Sequence, residues 1–208
     1  MPTQRSTLPI LAFSSERTWA KWLADHHADS KGVWVKIAKL SSKRASVSYA
    51  AAVEVALCYG WIDGQKRAYD ETSWLQKFTP RGTRSVWSKI NRDKAEALLR
   101  AGRMKPAGQA AMNAAQVSGR WATAYDSPAK ARVPIDLRRA LARNASARTF
   151  FATLNGQNRY AILHRLQTVR KPETRARRLA QFVEMLARHE TLYPQRSPSR
   201  RGARRSAT

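Results

Sequence analysis

One short segment of the sequence gathers arginines and polar side chains directly before a predicted helix. The members that could contact an anion are Arg81, Arg84, Ser85, Ser88 and Asn91. Guanidinium and hydroxyl groups donate hydrogen bonds to anions, and a helix N-terminus adds free backbone N–H groups at the positive end of a dipole. The segment therefore predicts an anion-binding site, with the alternative that its hydroxyls only cap the helix.

A nearby carboxylate would complete this predicted site. Trp61 and Asp63 stand between two glycines, which allow a tight backbone on both sides of a buried tryptophan. We expect Asp63 to form a charge-assisted pair with Arg81 or Arg84 and to orient that arginine, because a carboxylate that touched the anion would repel it. Trp61 and Trp87 would form walls of the pocket. The alternative is that Asp63 only pins its own loop.

Three arginines in the second half form a further basic patch, Arg175, Arg177 and Arg178. On a helix, Arg175 and Arg178 lie three residues apart and share a face. Such a face could bind phosphate or an acidic protein partner. The alternative is an ordinary solvated face, on which Glu173 and Arg177 form a favourable i, i+4 pair.

The sequence offers few other candidates for catalysis or metal binding. Cys58, the single cysteine, lies in an apolar helical pattern that predicts a packing role and excludes an intramolecular disulfide. His26 and His27 are adjacent, so they cannot place two ligands on one helix face. The sequence contains no convincing nucleophile–base pair, no phosphate-binding glycine loop and no dinucleotide-binding turn. We therefore expect no catalytic residues, no metal, no cofactor and a non-enzymatic protein.

Charge is the extreme feature of the composition. The 208 residues include 39 Lys and Arg against 14 Asp and Glu, a formal net charge of +25, and most of the excess lies in the second half. This balance favours an anionic partner such as nucleic acid or a membrane surface, whereas a general bias toward arginine is the alternative. No window of 18 apolar residues occurs, so we expect no membrane-spanning segment. The lone cysteine favours a cytoplasmic location.

Hydrophobic periodicity predicts the elements that would position these residues. Helices and strands interleave in the first half in the order α-β-α-β-β-α-α, with strands at 33–39, 61–69 and 72–78. Two of these strands flank a turn at Asp70-Glu71. The turn favours an α+β fold, a small antiparallel sheet with flanking helices, over a doubly wound parallel sheet. Beyond Pro134 the pattern is entirely helical.

Composition shifts divide the chain into four parts. These are an α+β domain at 11–119, a connector at 120–133, a helical module at 134–192 and a basic tail at 193–208. From residue 196 the tail contains Ser, Pro, Gly and Arg and no large apolar residue. We therefore expect it to be disordered and to offer its arginines for non-specific contact with nucleic acid.

Two groups of motifs resemble a known family. The first combines Ala56-Leu57-Cys58-Tyr59-Gly60-Trp61-Ile62-Asp63-Gly64 with Phe78-Thr79-Pro80-Arg81 and the stretch 85–91. The second runs from Val133-Pro134-Ile135-Asp136-Leu137 through Phe150-Phe151 to the stretch 173–178. Over roughly residues 11–192 the chain resembles the YdeI/OmpD-associated family, also described as bacteriocin-protection proteins. The resemblance implies a first half similar to the YjbR/frataxin-like fold, followed by an OmpD-associated-type helical module.

The same resemblance implies a role in tolerance of bacteriocins or antimicrobial peptides. Frataxin-like proteins bind iron through clustered acidic residues, but the nine acids of residues 1–100 are scattered here, so no iron site is expected. We expect an intracellular, non-enzymatic binding protein with an anionic ligand or an acidic protein partner. Two alternatives stay open. One is a nucleic-acid-associated protein that uses its basic C-terminal half, and the other is an enzyme that acts on a small anionic substrate beside Asp63 and Arg81.

Overall fold

The computed structural model describes residues 8–195 and divides the chain into two compact units. The division falls between Ala124 and Tyr125, inside the predicted connector at 120–133. The first unit has an apolar core that includes several tryptophans, and the second has a core of leucine, isoleucine and phenylalanine side chains. Each unit therefore has the separate core that defines a domain.

The described part of the first unit contains four strands and four helices in the order β-α-β-α-β-β-α-α. The strands are β1 (Ile10–Ala12), β2 (Val33–Ala38), β3 (Trp61–Ala68) and β4 (Ser73–Pro80), and the helices are α1 (Glu16–His26), α2 (Tyr49–Cys58), α3 (Lys89–Arg100) and α4 (Pro106–Val117). Ser15, Ser48 and Ser88 begin three of these helices, and each side chain accepts a backbone N–H of the first turn. The starts of these helices are therefore set by local capping.

The strands of the first unit form a mixed sheet in the order β1-β2-β4-β3. β4 pairs antiparallel with β2 and β3, and β1 pairs parallel with β2. The predicted α+β class is confirmed, but the sheet is not purely antiparallel as expected. The reason is β1, whose three residues are too few to show an alternating pattern. The predicted turn is present, and there the Asp70 carboxylate accepts the backbone N–H of Thr72 at 2.8 Å.

Helices cover one face of this sheet, and the core of the first unit lies there. Val33, Val35 and Ile37 alternate along β2 toward this face and are at most 3% exposed. The ring centre of Trp19 on α1 lies 5.5 Å from that of Phe78 on β4. The packing of α1 against the sheet therefore depends on aromatic contacts as well as on aliphatic side chains.

The described part of the second unit is helical, as the sequence predicts. It contains α5 (Ile135–Ala142), α6 (Ala145–Thr153), α7 (Gly156–Gln167) and α8 (Pro172–Ala187). Asn144 and Asn155 cap α6 and α7 through their side-chain oxygens. Buried side chains from these four helices form the core, among them Leu137, Phe151, Ile162, Leu166 and Leu186. No helix in residues 8–195 combines the length and the apolar composition that crossing a membrane requires.

The second unit extends further along the chain than its predicted boundary at residue 192. Tyr193 and Gln195 belong to the predicted disordered tail, yet both form hydrogen bonds with Asn158 of α7. The Asn158 side chain donates to the Tyr193 carbonyl at 3.0 Å and accepts the Tyr193 backbone N–H at 2.9 Å. Asn158 is 1% exposed, and a buried amide needs such partners. The tail prediction for residues 196–208 lies outside the described residues.

Candidate functional site

Asp63 forms a hydrogen bond that differs from the predicted one. It lies half-buried on β3, and its Oδ2 accepts the hydroxyl proton of Tyr49 from α2 at 2.7 Å. The expected pair with Arg81 or Arg84 is not among the ion pairs found in residues 8–195. This contact connects β3 to α2. It is close to the alternative in which Asp63 has only a local structural role.

Arg81 lies over the ring of Trp87, whereas Arg84 is exposed. The guanidinium carbon of Arg81 is 3.5 Å from the centre of the Trp87 ring. Its Nη1 also donates to the Val86 carbonyl at 3.3 Å. A cation in this position is attracted by the electron-rich face of the ring. Of the two predicted anion-binding arginines, Arg81 is therefore the one that is held in a defined orientation.

Two other predicted residues have structural roles in this segment. Ser88 is the N-cap of α3, and its hydroxyl oxygen accepts the backbone N–H of Asn91 at 3.1 Å. This is the capping alternative that the sequence left open. Trp61 is 1% exposed, and its Nε1 donates to the His27 carbonyl at 3.1 Å. Trp61 is therefore a core residue with a satisfied indole N–H.

A small cavity of about 100 Å³ lies beside Arg81. The predicted residues Ser85 and Trp87 line it as well, together with Arg120, which the sequence did not single out. A water takes about 30 Å³, so the space suits a few waters or one compact oxyanion. The structure thus brings three predicted residues together at one cavity. The predicted residues outside its lining are Trp61, Asp63, Arg84, Ser88 and Asn91.

The predicted basic patch on α8 consists of three arginines with different contacts. Arg175 donates from Nε to Oδ2 of Asp136 at 2.7 Å and from Nη2 to Oδ1 at 3.1 Å. Arg177 is exposed. Arg178 donates from Nη1 to the Arg165 carbonyl at 3.2 Å and lines a cavity. Arg175 therefore belongs to an ion pair inside the domain, whereas a role of the three arginines in binding stays a prediction.

The second unit contains a larger cavity of about 890 Å³ beside α7, called the α7 cavity below. Its polar and aromatic lining includes Gln157, Tyr160, His164, Arg165, Arg178 and Tyr193. Its charged lining residues are the two arginines, and no Asp or Glu of residues 8–195 takes part. A concave site of several hundred Å³ with aromatic walls and a few directed polar groups is typical of small-molecule binding.

Hydrogen bonds fix both arginines at the α7 cavity. Arg165 donates from Nη2 to the Tyr193 hydroxyl and from Nη1 to the Ala161 carbonyl, both at 3.4 Å. Arg178 donates to the Arg165 carbonyl, and both arginines are half-buried. Side chains that are already ordered lose less conformational freedom when a ligand binds. The cavity therefore presents preorganised guanidinium groups to an anion.

Tyr160 and His164 add neutral polar groups to the α7 cavity at pH 7. Burial raises the pKa of Tyr160 to about 12, and its hydroxyl donates to the Asp126 carbonyl at 2.9 Å. Burial, together with a smaller effect of the Arg165 charge, lowers the pKa of His164 from its ordinary value. A neutral imidazole can both donate and accept hydrogen bonds. The positive charge of the cavity therefore comes from its arginines.

The residues that α7 contributes to the cavity have a regular spacing that is visible in the sequence. Tyr160, His164 and Thr168 are spaced by four residues, and Ala161 and Arg165 form the neighbouring row. Rows with this spacing lie along one face of a helix. No other histidine lies near His164 in the sequence, so histidine spacing alone does not indicate the site. The polar and aromatic character of this face is the signal that could have indicated it.

The described residues offer little metal or thiol chemistry. Within residues 8–195, no three His, Cys, Asp or Glu side chains come together as a metal site would require. Cys58 is buried in α2, and this burial raises the pKa of its thiol. A raised pKa disfavours the thiolate that a nucleophile needs. The α7 cavity itself is lined by hydrogen-bonding and cationic groups.

Comparison with known families gives two matches, one in each unit. Residues 11–111 match the family "Domain of unknown function (DUF8412)", and residues 130–189 match the family "Bacteriocin-protection, YdeI or OmpD-Associated". No curated protein and no solved structure matches the chain. The expected likeness of the first half to the YjbR/frataxin fold is not supported, since that half matches the domain of unknown function instead. Within the helical unit, residues 130–189 are therefore similar to the YdeI/OmpD-associated family.

Proposed function

We propose that the chain is a non-enzymatic binding protein whose YdeI/OmpD-associated domain holds a small anionic ligand in the α7 cavity. The observation that carries this proposal is the lining, in which Arg165 and Arg178 supply the charge and no described carboxylate opposes them. The volume of about 890 Å³ suits a small molecule. The net charge of +25 adds long-range attraction for such a ligand.

The lining favours a ligand that combines a phosphate group with a planar or apolar part. Guanidinium groups match the geometry of phosphate oxygens. The rings of Tyr160 and Tyr193 offer apolar surface, and the imidazole of His164 offers a neutral polar contact. Gly156 and Gln157 also line the cavity and belong to the first turn of α7, where backbone N–H groups have no partner within the helix.

The description of the matched family suggests the setting of this binding. The description of that family names bacteriocin protection. We therefore propose that the chain contributes to tolerance of bacteriocins or antimicrobial peptides in the cytoplasm. The α7 cavity has no thiol and no carboxylate among the described residues, and this favours binding over nucleophilic catalysis.

Calorimetric titration of the full-length protein tests the proposal. The probes are inorganic phosphate and ATP, which joins phosphates to a planar base. We expect saturable binding, tighter for ATP than for phosphate. Arg178→Gln should weaken ATP binding by about tenfold or more, because a hydrogen bond to a charged group contributes about 1.5–3 kcal/mol. Arg177→Gln is the matched control, since it removes the same charge from an exposed position of α8 and should change little.

Three results would contradict the proposal. Equal effects of the Arg178 and Arg177 variants would show that net charge alone attracts the probe. Absence of saturable binding at millimolar concentrations of both probes would rule out the proposed ligand site. Gln157→Glu gives an independent test. Gln157 is exposed at the cavity, so the substitution adds a negative charge beside the ligand without removing a core contact. Binding that is insensitive to this variant would place the probe elsewhere.

The small cavity beside Arg81 is a second candidate, for a compact oxyanion. Arg81 covers the ring of Trp87, so an anion that draws on this guanidinium should change tryptophan fluorescence. We expect phosphate or sulfate to produce that change and Arg81→Ala to abolish it while the fold stays intact. An unchanged fluorescence response in Arg81→Ala would rule out anion binding at this cavity.

A further inference from the structure

The sheet of the first unit has a second face, opposite to the one that packs against the helices. Trp34 and Lys36 of β2 pair directly with Lys77 and Leu75 of β4, and Arg67 of β3 also pairs with Leu75. Directly opposed residues of antiparallel strands point to the same side. The residues that define this open sheet face are Ile10, Trp34, Lys36, Arg67, Tyr69 and Lys77.

Two cation–aromatic pairs cover the middle of the open sheet face. The guanidinium carbon of Arg67 lies 5.0 Å from the centre of the Trp34 ring, and Nζ of Lys36 lies 4.7 Å from that of Tyr69. Leu75 is fully buried, yet it is in neither of the two core clusters of the described residues. Long cationic side chains and aromatic rings therefore shield Leu75 on this face.

Several groups of the open sheet face remain accessible to a partner. Tyr69 is 50% exposed, and Ile10, which pairs with Trp34 from β1, is 42% exposed. Asp70 forms an ion pair with Lys36 at 3.0 Å. Among the described residues, Arg67 and Lys77 have no carboxylate partner. The face thus combines exposed aromatic surface with cations whose charge is not balanced locally.

We infer that the open sheet face binds single-stranded nucleic acid with little sequence preference. Bases that are not paired stack on aromatic rings and on guanidinium planes, and phosphates contact neighbouring cations. Tyr69 and Arg67 provide the stacking surfaces, and Arg67 and Lys77 provide the phosphate contacts. A duplex keeps its bases stacked inside and cannot use the rings. The net charge of +25 adds attraction that is independent of sequence.

Fluorescence anisotropy with labelled oligonucleotides of about 12 nucleotides, DNA and RNA, tests this inference on the full-length chain at about 50 mM salt. Arg67→Gln and Tyr69→Leu should each weaken binding by about fivefold or more, since this is the lower range for loss of one stacked base. Lys66→Gln is the matched control. Lys66 precedes Arg67 on β3 and lies over Trp74, a residue in contact with the helix-covered core, 4.3 Å from its ring centre. This variant should change binding less than twofold.

The basic residues outside the described part of the chain are present in every variant, so they do not affect the comparison. Equal losses in Lys66→Gln and Arg67→Gln would overturn the inference, as would equally tight binding of a duplex of the same length. Ultraviolet crosslinking gives a second readout that does not depend on substitutions. We expect crosslinked peptides that contain Trp34 or Tyr69, and crosslinks confined to other peptides would also overturn the inference.

Discussion

Arg175 of α8 donates two hydrogen bonds to the carboxylate of Asp136 on α5. The same guanidinium donates from Nη1 to the Leu166 carbonyl near the end of α7, so one side chain links three helices of the second unit. Both partners of the ion pair are about one-third exposed, at 29% for Arg175 and 34% for Asp136. The arginine that was expected to bind an outside anion is therefore used to hold its own domain together.

Loss of this ion pair should destabilise the second unit. We expect Arg175→Ala to lower the free energy of unfolding by about 2 kcal/mol, because charge-assisted hydrogen bonds are lost and Asp136 keeps a half-buried charge without its partner. Arg177→Ala, two residues further along α8 and exposed, should change it by less than about 0.5 kcal/mol. Urea denaturation followed by circular dichroism measures both. Equal effects of the two variants would contradict a structural role for Arg175.

The same pair should contribute to acid sensitivity. The hydrogen bond from Arg175 lowers the pKa of Asp136 in the folded chain, against the opposing effect of burial. An unfolded aspartate has a pKa of about 3.9, so the unfolded state takes up protons first as the pH falls. The stability from the pair is therefore complete above about pH 4 and is lost as the pH falls through the lower folded pKa. Thermal midpoints between about pH 6 and pH 2.5 should fall less steeply in Asp136→Asn than in the unaltered chain, and parallel curves would refute this.

Local patterns predicted most of the helices, while pairing between distant residues escaped prediction. Ser15, Ser48 and Ser88 begin helices because their side chains cap N–H groups three residues later, and a signal over so short a distance is present in the sequence itself. Alternation at 33–39 likewise predicted β2. β1 was missed because Ile10–Ala12 forms a strand only through its pairing with β2, more than twenty residues later. A three-residue segment shows no periodicity of its own.

The same distinction applies to the candidate sites. The capping role of Ser88 was among the alternatives because it depends on residues three positions away. The partner of Asp63 could not be predicted, since the Tyr49 hydroxyl reaches it only after α2 packs beside β3. Residue type alone favoured an arginine there. The α7 cavity depends in the same way on Tyr193 and Arg178, which approach α7 only in the folded domain.

His164 provides a local test of the α7 cavity. Burial lowers its pKa, so we expect its imidazole to titrate below pH 6.5, the ordinary value. The unfolded state then binds a proton before the folded state does, and His164 makes the domain less stable as the pH falls below about 6.5. Proton NMR of the imidazole signals, assigned by comparison with His164→Gln, measures the midpoint. A midpoint at or above 6.5 would show that the side chain is not shielded from water.

At Gly108, α4 lies close to the backbone of α2. The glycine is buried, and a Cβ at this position would lie 2.7 Å from the Leu57 carbonyl oxygen and closer still to that of Cys58. The Met104 side chain also lies near this Cβ and can move, but the two carbonyl oxygens are backbone atoms at the C-terminal end of α2 and cannot rotate away. The backbone N–H of Lys105 donates to the same Cys58 carbonyl at 3.1 Å, which fixes the start of α4 at this distance.

Gly108→Ala should therefore lower the free energy of unfolding by about 2 kcal/mol or more, because two packed helices must separate to admit a methyl group. Helix propensity acts in the opposite direction, since alanine is favoured over glycine inside a helix by about 1 kcal/mol. A net loss thus isolates the steric effect. Gly156→Ala is the matched control, because it lies in the first turn of α7 with nothing within 4 Å of the added Cβ. Thermal and urea denaturation should show a loss for Gly108→Ala and a small gain or no change for Gly156→Ala. A stabilised Gly108→Ala would mean that α2 and α4 do not pack this closely.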